Sequence, residues 1–227
     1  MQKLRIDIWS DIACPWCYVG KRRLEAALKT FDVPTEIHWR AFELDPSAPR
    51  VRDGAYPDRL AKKYGMTTAQ AEQRIGQLVA TAAEDGLDFR FDKIRPGNTF
   101  DAHRLVHLAG ERGLQDAVKE RFLRGYLTEG KAIGEPAVLA ELAVEAGLDR
   151  AEVTEVLETD RYAKEVRADE AAARELGISG VPCFVIGGRL AVSGAQQPET
   201  LLAALRQVAA APLEFADGAA CGPDGCP

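Results

Sequence analysis

The chain has 227 residues, 46% of them hydrophobic, enough for a core larger than that of a minimal single-unit fold. Its 29 basic residues are outnumbered by 35 acidic ones, a formal charge of -6 with no basic run long enough to track a phosphate backbone, so nucleic acid is excluded as an expected partner. No window approaches the roughly 18 apolar residues of a membrane span, and the first residues lack the basic-then-apolar layout of an export signal; the expectation is a cytoplasmic protein with no membrane partner.

In chain order, Leu4 to Trp9 alternates as a strand, Pro15 to Lys29 has helical period, and Thr35 to Phe42 alternates again, a βαβ start. Pro46, Pro49, Gly54 and Pro57 then punctuate a polar stretch read as a boundary rather than an element. Thr67 with Gln70 predicts a capping box for a helix to about Asp85, closed by Gly86. Asn98 or Thr99 caps the next helix, through Leu105 and Leu108 to Glu111, and residues 114 to 128 continue in helical period. Glu135-Pro136 opens another, ending at Gly147; Asp149 and Asp160 start two more, the last ending at Gly177. Strand chemistry returns with Val181 to Ile186, the Gly187-Gly188 turn and Arg189 to Ser193, and Pro198 opens a final helix.

The expected fold class is therefore α/β: a thioredoxin-like fold made of residues 1–46 and 176–212, with an inserted all-helical domain over 47–175. Residues 213–227 have no period and read as a mobile tail.

The five cysteines fall as a close pair, Cys14 and Cys17, a single Cys183, and a second close pair, Cys221 and Cys226. That pattern fits reactive thiols or metal ligands better than a secreted disulfide framework. Cys14 precedes Pro15 at the start of a helix, where free N–H groups and partial positive charge favour a thiolate, the attacking species in disulfide exchange. Cys17 lies one turn on, within reach to resolve a mixed disulfide formed at Cys14. Trp16 between them offers an apolar surface to an unfolded polypeptide. Gly180-Val181-Pro182 precedes an apolar strand, and a cis proline beside the thiols would leave the Val181 backbone free to pair with an extended substrate. Zinc is the rival, since Cys14, Cys17, Cys221 and Cys226 make a four-thiolate set.

These motifs together, with Asn98-Thr99-Phe100-Asp101-Ala102-His103-Arg104 at a helix start and Ser193-Gly194-Ala195-Gln196 after the hairpin, resemble the DsbA family, specifically its FrnE-like cytoplasmic branch. The resemblance spans nearly the whole chain. It implies a cis Val181-Pro182 bond, a helical domain over the active site and dithiol oxidase or isomerase activity on protein thiols or disulfides. It also implies an accessory redox role for the tail pair, whose Pro223-Asp224-Gly225 turn would bring Cys221 and Cys226 together. No external cofactor or metal is expected, and a redox partner is implied but not identified. Glutathione-dependent isomerases share the fold but usually carry serine at the position of Cys14, so the intact pair points away from them. A holdase gripping clients with Trp16 is a further alternative. Cys183 reads as a buried structural thiol, His103 and His107 as helix packing and surface polarity, and Lys21, Arg22 and Arg23 as a solvated helix face.

Overall fold

The computed structural model describes residues 3–52 and 54–210. β1 (Leu4–Ser10), α1 (Pro15–Leu28) and β2 (Thr35–Ala41) form a parallel βαβ unit, with the two strands in register from Leu4 opposite Thr35 to Ser10 opposite Ala41. β3 (Cys183–Ile186) pairs antiparallel with the other side of β1, and β4 (Leu190–Ser193) pairs with β3, giving the order β2-β1-β3-β4. The β3–β4 turn needs two consecutive left-handed residues. Gly187 (φ 58°) and Gly188 (φ 66°) supply them without a Cβ clash, and the Arg189 N–H donates to the Ile186 carbonyl at 3.0 Å. α9 (Pro198–Ala210) closes the described chain.

Period-2 alternation sorts the strands' side chains onto two faces. Ile6, Ile8, Phe184 and Ile186 pack with Leu24 of α1 and with Leu201, Leu205 and Val208 of α9. At about 1.5–3 kcal/mol for each large apolar side chain removed from water, this layer is the main stabiliser of the sheet. Trp9, Cys183 and Val185 occupy the opposite face with Ala173.

Between β2 and β3 run α2 (Tyr56–Tyr64), α3 (Thr68–Glu84), α4 (Phe100–Glu111), α5 (Gln115–Leu127), α6 (Pro136–Glu145), α7 (Arg150–Glu158) and α8 (Ala163–Glu175). The Thr67–Gln70 capping box forms in both directions, and Asp149 caps α7 through the Ala151 and Glu152 amides. Two starts differ from expectation. Pro57, read as punctuation, lies in the first turn of α2, where its missing N–H has no partner to lose. α8 begins after Tyr162, whose left-handed φ of 63° turns the chain, while Asp160 contributes its backbone carbonyl to the Ala163 N–H rather than a side-chain cap.

The helical stretch is stitched to the sheet through the outer edge of β2. The Gln115 amide of α5 accepts from the Trp39 N–H at 2.9 Å and donates to the Trp39 carbonyl at 3.2 Å, taking the place of a neighbouring strand. Asp169 of α8 accepts from the Ala41 N–H at 2.9 Å and from Arg40 at 3.2 Å, while its own carbonyl accepts from Trp9 Nε1 at 2.8 Å. No helix among the described residues is long and apolar enough to cross a membrane.

Candidate active site

β1 delivers the chain from Ser10 into the turn Asp11-Ile12-Ala13, and α1 starts at once. Cys14 is its N-cap residue with extended φ/ψ, and Pro15 stands in the first turn. Cys14 is only 5% exposed and Cys17 1%, yet they are not equivalent. Cys14, together with Pro15 and Trp16, lines a cleft of about 1330 Å³ bounded by α2, α3 and the Gly180-Val181 turn, while Cys17 is enclosed one turn deeper. Trp16 is 42% exposed at the cleft rim.

The Val181-Pro182 peptide bond is cis. The Cys14 thiol lies 3.6 Å from the Val181 carbonyl, so residues 167 positions apart in sequence meet at one point. Gly20 of α1 allows this approach: a Cβ there would lie 2.9 Å from Pro182 Cγ. Cys14, Pro15, Trp16, Cys17, Val181 and Pro182 thus share one site. Cys221 and Cys226 lie outside the described residues. Cys183 is buried in β3, and burial raises its thiol pKa.

Beneath the cysteines is a layer of buried polar groups. Asp11 is 1% exposed; its carboxylate accepts from the Leu44 N–H at 2.8 Å, and His103 Nε2 faces it at 3.4 Å. Burial would raise the Asp11 pKa, but His103 and the Leu44 amide outweigh it and hold the group below its ordinary value. Burial lowers the His103 pKa against the opposing pull of Asp11. Lys119 of α5 is wholly enclosed, donates to the Ser10 carbonyl at 3.2 Å and lies 5.5 Å from the Trp39 ring centre. Burial depresses its pKa to about 8, and the neighbouring charges of Cys17 and Asp11 keep it from falling further.

This layer acts on the thiol pair above it. At Cys17 burial raises the pKa, but the hydrogen bond from Cys14 and the Lys119 ammonium outweigh it and bring the thiol below its ordinary value. The same hydrogen bond, reinforced by burial and by the Cys17 charge, holds Cys14 well above its own. The two thiols are thus coupled, and the buried Lys119 ammonium favours negative charge on the pair.

His103 and His107 are also not surface polarity, because His103 faces Asp11 and His107 Nε2 lies 3.0 Å from Asp169. The solvated face expected for Lys21, Arg22 and Arg23 is instead a tether. Lys21 and Arg22 pair with Glu120 of α5, and Arg23 with Asp85 at the end of α3. Lys119 went unread although a signal exists: it heads the i, i+3, i+4, i+7 series Lys119, Phe122, Leu123, Tyr126, a lysine on an apolar stripe. Among the described residues no three His, Cys, Asp or Glu side chains are grouped to hold a metal ion.

The family model for a DSBA-like thioredoxin domain matches residues 5–206. A probable DsbA oxidoreductase from Streptomyces coelicolor is 46% identical with a TM-score of 0.88, covering 99% of this chain and 98% of its own. An uncharacterized Bacillus subtilis protein, YwbO, is 33% identical over 187 residues, 81% of this chain and 87% of that one. The cytosolic disulfide reductase DsbM from Pseudomonas aeruginosa shares the fold, with a TM-score of 0.65 at 19% identity over 90% of this chain and 98% of its own. With a matched thioredoxin sheet, an inserted helical stretch and two thiols one turn apart at the head of α1, the chain belongs to the DSBA-like thioredoxin domain family of thiol–disulfide oxidoreductases.

Proposed function

We propose that the chain exchanges disulfides with protein substrates, Cys14 attacking and Cys17 resolving. The observation that carries this reading is the asymmetry of the pair: Cys14 faces the cleft at the head of α1, and Cys17 is enclosed beside Lys119. A proton shift along the Cys14–Cys17 hydrogen bond converts Cys14 to the thiolate and leaves Cys17 neutral. Cys14 then attacks a substrate disulfide: a Cys14–substrate bond forms, the substrate S–S bond breaks, and the departing thiolate takes up a proton. Cys17, deprotonated beside Lys119, attacks the Cys14 sulfur, releasing the second substrate thiol and leaving a Cys14–Cys17 disulfide. Two electrons pass to the substrate. A partner dithiol restores the reduced pair, and the same steps reversed oxidise a substrate dithiol, so no external cofactor is required.

In this reading Pro15, Trp16 and Val181 line the substrate path, Pro182 shapes it, and Cys221 with Cys226 is an accessory dithiol that passes electrons to or from the first pair. The FrnE-like branch and a cytoplasmic location belong to the same proposal; the cytosolic DsbM neighbour supports the latter. The test is a pair of variants. Cys14→Ser should abolish insulin reduction, and Cys17→Ser should accumulate a mixed disulfide with substrate, visible by non-reducing electrophoresis. Full activity in Cys14→Ser would overturn the assignment.

A further inference from the structure

The cleft in front of Cys14 has the opposite sign to the rest of the chain. The protein carries a formal charge of -6, yet five cations line this cleft, Arg52, Arg59, Lys62, Lys63 and Arg74, against two carboxylates, Asp11 and Asp45. Both carboxylates are engaged, Asp45 with Arg52 and Asp11 with His103 and the Leu44 amide. Arg59, Lys62, Lys63 and Arg74 have no carboxylate within ion-pair distance among the described residues, and one guanidinium nitrogen of Arg59 is enclosed without a hydrogen-bond partner. Enclosing an unpaired donor of a cation is unfavourable, so the site favours an incoming acceptor. Aromatic surface accompanies the charge: the Arg59 guanidinium lies 5.7 Å from the Tyr56 ring centre, and Tyr64 and Trp16, which also line the cleft, are exposed.

Size selects among anions. Pockets for small ligands measure roughly 300–1,000 Å³, and this cleft, at about 1330 Å³, is larger and opens onto a reactive thiol.

We propose that the cleft is a substrate subsite for an acidic polypeptide segment bearing aromatic or aliphatic side chains, lying beside the cysteine that Cys14 attacks. The inference names the substrate class of the exchange reaction and rests on that reading. Carboxylates of the segment pair with Arg59, Lys62, Lys63 and Arg74, and its apolar side chains cover Tyr56 and Trp16. The cationic field also speeds encounter with acidic clients and repels basic ones.

The test separates binding from exchange. Calorimetric titration of the full chain with a cysteine-free decapeptide containing four Glu and one Trp is compared with the same peptide carrying Gln for Glu. The acidic peptide should bind roughly tenfold more tightly at low salt, the difference closing as salt is raised. The double change Lys62→Glu and Lys63→Glu, on exposed positions of α2, should remove the preference, as should Arg74→Glu on α3, with circular dichroism matching the parent. Equal binding of both peptides, or a preference that survives both variants, overturns the proposal. So does an equal preference for glutathione disulfide, which would make this a small-anion site. If the acidic preference holds but no disulfide substrate is turned over, the subsite stands and the exchange reading falls.

Discussion

Lys119 is a buried cation whose charge acts on the thiol pair. An enclosed ammonium beside a thiolate stabilises the reduced form, which carries that charge, and not the disulfide, which does not; such a bias makes a pair more oxidising. Lys119→Met should lower the Cys14–Cys17 potential by on the order of 30 mV, measured by equilibration against thiol–disulfide buffers at pH 7; an unchanged potential would separate Lys119 from the pair. The same substitution should stabilise the fold. A lysine whose folded pKa lies near 8, below its free value of 10.5, destabilises the fold wherever it is protonated, and the penalty lifts as pH rises from 8 toward 10.5. At pH 7 the variant should gain up to about 3 kcal/mol in urea unfolding, and the parent's rise in stability across that pH window should vanish. Cys14 and Cys17 were legible because a thiol pair one turn apart with proline in the first turn is a local pattern. Lys119, His103 and Asp11 were not, because their meaning lies in a meeting of α5, α4 and the β1–α1 turn that no local pattern records.

Between elements, the contact of α1 with the Pro182 turn is a tight constraint on the site. Gly20→Ala brings two effects of opposite sign. Helix propensity favours alanine by about 1 kcal/mol, whereas a Cβ 2.9 Å from Pro182 Cγ and 3.2 Å from Phe184 Cζ overpacks a closed joint at about 1–3 kcal/mol. The clash should prevail, leaving the variant less stable and slower in insulin reduction. Gly76→Ala, in α3 with open space around the added carbon, should by contrast gain about 1 kcal/mol. Denaturation of the two variants side by side reads the difference; a stabilised Gly20→Ala would mean that α1 and the Pro182 turn yield to each other. The elements themselves were mostly legible, since strand alternation, the Thr67 capping box and the two-glycine hairpin are local signals. α2 was missed because a proline inside a polar stretch reads as a break unless the helix starting around it is already known. The docking of α8 on the sheet through Asp169 was hidden as well, because its partners on β1 and β2 are more than 120 positions away.

Over the whole molecule, ion pairs join what the chain order separates. Lys21 and Arg22 of α1 meet Glu120 of α5, and Arg167 of α8 meets Glu43, just after β2, at 2.5 Å. The Glu43 side chain is fully enclosed, and burial raises its pKa to about 6 despite Arg167. A carboxyl raised above its free value of 4.5 contributes stability below about pH 4.5, and that contribution is lost as pH climbs through 6. Glu43→Gln should therefore remove up to about 2 kcal/mol of the difference in unfolding free energy between pH 4.5 and pH 7. Identical pH profiles in parent and variant would show that Glu43 does not titrate in this window.

The sealing of β2 has a consequence for the protein's company. A molecule whose proposed clients are extended chains is at risk of being recruited into their aggregates, since any bare strand border is a template for further pairing. Here one border is occupied by the Gln115 amide and the Asp169 carboxylate, and the other, β4, is only four residues long. Both features shorten the run of free backbone on which fibrous growth could begin, at Trp39 and Ala41 on one flank and by the brevity of β4 on the other.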